Sequence, residues 1–416
     1  MTTRTAIHRP IGHPETGRCP AVGGRGRAQA GMALLETVLG LVLGLVALLV
    51  IVQSYASIEQ FTRSSGGQAD AQQRGAVASW RLLRELRLAG AGIGHGPTLW
   101  GCTLNVWRAG VQLLPRASAW PAPFAGLPTA PLLVPVAVSD NTGPNGSDRL
   151  MFTAARGAAG VAPATTSIVS ASMIQSTSSS GYRAGDLLLV TDATTLGNCQ
   201  VGQVDSTYLA PAELPAPSAI PTGAAGAPFN APTGFANLPQ PGDYTMINLG
   251  TTPTLQMIGV NALGQLVLLD AMGMMTGAEP VVLAENVVQL QVVYGLDDGV
   301  GGGVANDNVI DRWVPPSGTW QFSVVHSATS TALQIKAIRL AIVMRSDTTQ
   351  GRSAPASLTL FPDLPTAAQV TMALSATDRA YQYQVYDSII ALRNASAALC
   401  AEHRRAVALP APSICD

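Results

Sequence analysis

The sequence predicts an α+β fold, with a long N-terminal α-helix packed on an antiparallel β-sheet that carries large loop inserts. Three observations carry this. Residues 32–52 form one apolar run, and the stretch after it stays helix-compatible to about residue 90. Several later runs alternate apolar and polar residues with a period of two. Two Pro/Ala-rich stretches, 114–145 and 210–241, have neither period and read as surface loops or inserts.

Residues 1–31 are polar, rich in Gly, Pro and Arg, and without periodicity, which reads as a disordered cytoplasmic leader. Residues 32–92 are the predicted helix. Its first part, Met32 to Val52, holds a single charge, Glu36. A helix of that length spans roughly 30 Å, one bilayer core. The leader has five arginines against Glu15, with no basic cluster straight after the run, so the N-terminus is expected in the cytoplasm. Beyond a soft point at Gly66–Gly67, Val77, Trp80, Leu83 and Leu86 recur at helical spacing. They predict one face laid on a folded domain, with Trp80 as a core anchor. Gly90, Gly92, Gly94, Gly96 and Pro97 end the helix.

Residues 93–416 read as a β-rich globular domain. Asp148–Ala154 and Asp186–Asp192 are compact apolar runs. Val288, Leu290, Val292 and Tyr294 alternate with Gln289 and Gln291, and Ile338, Leu340, Ile342 and Met344 with Arg339 and Arg345. Tyr381, Tyr383 and Val385 alternate with Gln382 and Gln384. Such alternation predicts sheet with one wet face.

Charge and motifs exclude several functions. The formal net charge is −1, without the concentrated basic face that nucleic acid requires. Lys336 is the only lysine, which reads as composition bias. No H-E-x-x-H pattern, nucleophile elbow or Walker loop is present, so no enzyme activity and no cofactor are expected. The histidines read as surface or satisfied residues. The segment 297–311 is rich in oxygen ligands: Asp297, Asp298, Asn306, Asp307 and Asp311. Ca2+ takes six to eight such oxygens, but the EF-hand spacing is missing; the competing reading is a Gly/Asp loop between strands.

Glu36 is out of place for an ordinary anchor. A carboxylate at the centre of a membrane helix costs about 2.5–3.5 kcal/mol on insertion scales unless it finds a partner. A secretory signal would carry its cleavage site after the apolar core, whereas here Gly31 precedes it. The run Gly31-Met32-Ala33-Leu34-Leu35-Glu36 resembles the class III signal of type IV prepilins. That resemblance implies cleavage between Gly31 and Met32 by a prepilin peptidase, methylation of the new N-terminus, and pairing of Met32 N with Glu36 of a neighbouring subunit. Gly40-x-x-x-Gly44 fits close helix packing.

The remainder resembles the PilW-like minor pilins. The matching pieces are Arg84 to Gly90, Trp100-Gly101-Cys102, Gly146-Ser147-Asp148-Arg149-Leu150, Glu285 to Gly295, Ile338 to Ser346, and Tyr381 to Asn394. The resemblance implies a type IV pilin fold and a structural role: priming pilus assembly and acting at or near the tip in adhesion and twitching motility. Its implied partners are other minor pilins, the major pilin, the prepilin peptidase and a large tip adhesin. The implied location is the bacterial inner membrane, single-pass with a periplasmic C-terminal domain, then the pilus or cell surface. Two other readings stay open: a type II secretion pseudopilin, and a membrane-anchored surface-binding module.

Cys19 lies in the leader, leaving Cys102, Cys199, Cys400 and Cys415. Their wide spacing fits disulfides in an oxidising compartment better than zinc. Three pairings are possible. The favoured set is Cys102–Cys199 with Cys400–Cys415; free buried thiols are the competing reading.

Overall fold

The computed structural model describes residues 30–93, 100–155, 163–192, 197–209, 218–223, 228–235, 238, 243–273, 279–327, 329–346 and 354–394. The chain divides after Thr62 into two compact units. The helix α1 (Ala30–Leu86) begins in the first unit and ends in the second, running through Gly66 and Gly67 without a break. In the first unit, Leu34–Glu59 is long and apolar enough to cross a membrane, and none of it is buried.

In the second unit the helix buries Gly75, Ala78, Ser79, Leu82 and Leu86. This differs from the expected face: Val77 is 52% and Trp80 61% exposed. The buried stripe follows i, i+4 steps through small residues, which lets the helix axis approach the sheet closely. Arg84 lies over the exposed Trp80 ring at 5.9 Å. The helix stops where Gly90 and Gly92 adopt positive φ, 78° and 71°, a region that favours glycine. There Gly90 N donates to Thr153 O and Ala155 N to Ala91 O, tying the helix end to a strand end.

The strands follow in chain order. They begin with β1 (Thr103–Arg108), β2 (Val111–Leu114), β3 (Val136–Ser139) and β4 (Arg149–Ala154). Next come β5 (Ala164–Ser170), β6 (Met173–Ser176), β7 (Leu187–Asp192), β8 (Asn198–Gln203) and β9 (Ser218–Pro221). Then come β10 (Tyr244–Gly250), β11 (Thr254–Val260), β12 (Leu266–Asp270), β13 (Val281–Ala284), β14 (Val287–Leu296) and β15 (Arg312–Val314). Two short helices, α2 (Phe322–Ser327) and α3 (Thr329–Leu333), precede β16 (Ile335–Arg345), β17 (Ser357–Leu360), β18 (Val370–Ala373) and β19 (Tyr383–Ala391).

The fold is mixed α+β, but the strands form several sheets rather than one. The largest has the order β2-β1-β8-β7-β10-β5-β6-β9, the next β13-β12-β11-β4-β3, then β15-β14-β16-β19, with β17-β18 apart. Among the described residues, strand pairing is antiparallel except for β1 with β8.

Alternation sorts the side chains between cores. On β7, Leu187 and Leu189 join the main core, while Leu188 and Val190 join a second core with Tyr182, Phe235 and Tyr244. On β16, Ile338, Leu340, Ile342 and Met344 join the main core, and Ala341 and Val343 a third around Phe361. The expected wet face is therefore covered around the centre of β14 and β16, while Arg345, Gln382 and Gln384 stay partly exposed. Gln289, Gln291 and Arg339 are all under 9% exposed.

The stretch 114–145 also departs from expectation. It buries Leu114, Trp120, Phe124, Leu127, Leu133 and Val134 in the main core and contains β3. Irregular backbone carries these anchors, so no period reveals them. The described part of 210–241 contains β9 and buries Phe235.

Cys102 and Cys199 form a disulfide with Cα atoms 5.6 Å apart, both side chains buried. It closes a loop of 97 residues, which chain entropy values at about 4–5 kcal/mol. Cys400 and Cys415 lie outside the described residues.

Candidate functional site

Gly31 and Met32 fall in the first turn of α1; their side chains are outside the described set. Glu36 is exposed one turn later, among Leu34, Leu35, Val38 and Leu39, which are all more than half exposed. Desolvating an ionised carboxylate on such a surface without a positive partner is costly.

Where α1 docks, Gly75 lies close against β16 and β19. A Cβ there would lie 2.1 Å from Tyr386 Cε2 and 2.6 Å from Met344 Sδ. Tyr386 Oη donates to Gln72 O at 2.8 Å, and Asn394 Nδ2 to Arg87 O at 3.0 Å. β16 and β19 thus hold the helix through ring packing and its own carbonyls.

The run Gly146 to Asp148 clasps the outer edge of β14. Asp148 N donates to Leu290 O at 2.8 Å, and Ser147 Oγ accepts from Leu290 N at 3.3 Å. The Asp148 carboxylate accepts from Asn141 N and Val292 N, both at 2.8 Å. Gln291 Nε2 donates to Gly146 O at 2.5 Å. Leu290 N, Leu290 O and Val292 N, which face away from β16, thus find partners, joining the five-stranded sheet to the four-stranded one. Burial pushes the Asp148 carboxyl up to about 8, against the pull of its two N–H donors. Behind it, Tyr294 Oη accepts from Val138 N at 2.6 Å.

The acidic loop after β14 closes on itself. Asp297 Oδ1 accepts from Asn306 N at 2.5 Å and Asp307 N at 3.3 Å; Oδ2 accepts from Asn308 N at 2.8 Å. Asp311 Oδ2 accepts from Asp298 N at 2.9 Å and Gly299 N at 2.6 Å. Burial raises the Asp298 carboxyl, but its bonds from Arg312, as short as 2.6 Å, outweigh that and hold it below the usual range. Lys336 Nζ stands 3.8 Å from Asp297 Oδ2, both side chains buried. Burial pushes the ammonium's pKa down, opposed by Asp297.

The five residues expected as Ca2+ ligands are thus together in one loop, yet their carboxylates point at backbone N–H groups and cations. Among the described residues, no group of three or more His, Cys, Asp or Glu side chains is placed to hold a metal ion.

Sequence reasoning missed four residues. Lys336 passes for composition bias until its pairing with Asp297 is seen. Gly75 and Tyr386 carry no motif. Arg339, counted as a wet-face residue, bridges Asp363 and Asp387 with bonds of 2.6–3.1 Å while lying over Phe361 at 5.3 Å. His326 is buried and satisfied: its Nε2 accepts from Leu132 N at 2.8 Å, and burial lowers its pKa to about 4.

No curated protein matches this chain. Among solved structures, a type IV-like pilin from Thermus thermophilus aligns at 13% identity over 51% of this chain and 86% of that one. The TM-score of that alignment is 0.20. The block from β10 to Asn394, which holds the clasped sheet, the acidic loop and the strands that grip α1, is where a family model fits. Residues 246–394 match the family described as type IV pilus-assembly protein W, PilW.

Proposed function

We propose that this chain is a minor pilin of a type IV pilus that primes filament assembly and acts at or near the tip in adhesion and twitching motility. One observation carries the reading: the PilW match over residues 246–394 occurs in a chain whose exposed apolar run, Leu34 to Val52, bears one carboxylate, Glu36. A peptidase cuts after Gly31, and the freed Met32 amine, methylated, pairs with Glu36 of the next subunit. Assembly then resolves the desolvation cost that an isolated subunit bears. The helix anchors the precursor in the inner membrane with its N-terminus cytoplasmic. Other minor pilins, the major pilin and a large tip adhesin are the partners.

N-terminal sequencing of protein from membranes and sheared filaments tests this. The expected start is Met32. Glu36→Ala should leave membrane levels unchanged and lower the amount in sheared filaments. A mature protein that keeps its arginine-rich head, or unchanged recovery of the variant in filaments, would overturn the reading.

A further inference from the structure

The ends of the sheets are unequal. β2, β3, β9, β13, β15, β17 and β18 have three or four residues each, whereas β19, also an end strand, has nine. Short end strands limit unwanted pairing; a long one is a template for it.

The phase of β19 is fixed at both ends. Leu392 N donates to Lys336 O at 2.7 Å and Ser346 N to Gln382 O at 2.9 Å, within the register that pairs Ile338 with Ile390 and Arg345 with Tyr383. Even-numbered residues of β19 therefore bond β16. Tyr383, Val385, Asp387, Ile389 and Ala391 turn their N–H and C=O groups outward. Among the described residues no strand lies beyond them. The contrast with β14 is direct, since Ser147 and Asp148 seal its outer edge.

The edge also lacks the usual deterrents. It contains no lysine or proline, Ile389 is 56% exposed, and its one charge, Asp387, is already held by Arg339. We infer that β19 is a strand-addition site for an extended, uncharged segment of a different polypeptide. A second copy fits poorly: Arg339 is shared between Asp387 and Asp363, so the cluster keeps one net negative charge, and antiparallel pairing over the full edge would set two such clusters against each other. This inference does not depend on the pilus reading.

The test uses the full chain in detergent and a synthetic nine-residue peptide of alternating valine and threonine. The control is the same peptide N-methylated at alternate residues. Hydrogen–deuterium exchange should slow at Val385, Asp387 and Ile389 by at least about tenfold with the peptide and not with the control. Ile389→Pro removes one outward N–H without touching a bond to β16, and should weaken peptide binding on the order of tenfold at unchanged melting temperature. Ile389→Lys, at an exposed side chain, provides the second variant and should weaken binding likewise. Unchanged exchange, or equal binding by both variants, would overturn the inference. So would amides already protected in the chain alone, which would mean that the chain covers its own edge. A dimer on sizing that Ile389→Pro dissolves would overturn the choice of a different polypeptide.

Discussion

Gly75→Ala tests how the helix meets the sheet, because two effects of opposite sign compete there. On an exposed helix the change would stabilise by about 1 kcal/mol through helix propensity. At Gly75 the new methyl would lie 2.1 and 2.4 Å from Tyr386 ring carbons and 2.6 Å from Met344 Sδ. Either the helix lifts or the ring turns, and turning breaks the 2.8 Å bond from Tyr386 Oη to Gln72 O. Overpacking costs about 1–3 kcal/mol. The lost hydrogen bond adds about 0.5–1.5 kcal/mol. The net expectation is a loss of about 1–3 kcal/mol. Gly66→Ala is the internal control, since nothing lies within 4 Å of its Cβ position, and it should stabilise. Urea unfolding of the full chain in detergent measures both. Tyr386→Ala makes room for the methyl, so the double variant should show strong coupling. Stabilisation by Gly75→Ala equal to that of Gly66→Ala would refute the docking geometry.

Two further predictions concern buried polar groups. Asp148→Ala strands the N–H groups of Asn141 and Val292 and should cost about 2–5 kcal/mol in thermal or urea unfolding; a loss below about 1 kcal/mol would show the clasp to be dispensable. His326 has its folded pKa lowered from 6.5 to about 4, so its contribution is present above pH 6.5 and is lost as pH falls through that window. Asp148, with a raised pKa, runs the opposite way, so the informative quantity is the difference between wild type and His326→Asn. Wild type should lose up to about 3 kcal/mol more than the variant between pH 7 and 4; parallel pH profiles in urea melts would refute it.

The sequence shows some of this plainly and hides the rest for physical reasons. The apolar helix, the strands β14, β16 and β19 and the Cys102–Cys199 pair are legible because length, period and oxidation chemistry are local or sparse signals. The docking face of α1 is not. Gly75, Ala78 and Ser79 are small, so a hydrophobicity pattern prefers Val77 and Trp80, which face outward. Gln289 and Gln291 look solvated because their partners, the carbonyls of Asn145 and Gly146, lie 143–145 residues away in the chain. Trp120 and Phe124 sit in a Pro-rich stretch whose backbone has no repeat to announce burial. The roles of Asp297 and Lys336 depend on a contact between a loop and a strand, which spacing along the chain does not encode.

The burial of Lys336 has a practical corollary. With its side chain 5% exposed and no other lysine in the chain, the folded domain offers amine-reactive reagents almost nothing to attack. Succinimidyl cross-linkers would therefore pass over this chain except at its N-terminus. Acylation of Lys336 would instead report the moment the β14–β16 corner opens, so a single modified peptide in a mass spectrum becomes a clock for local unfolding.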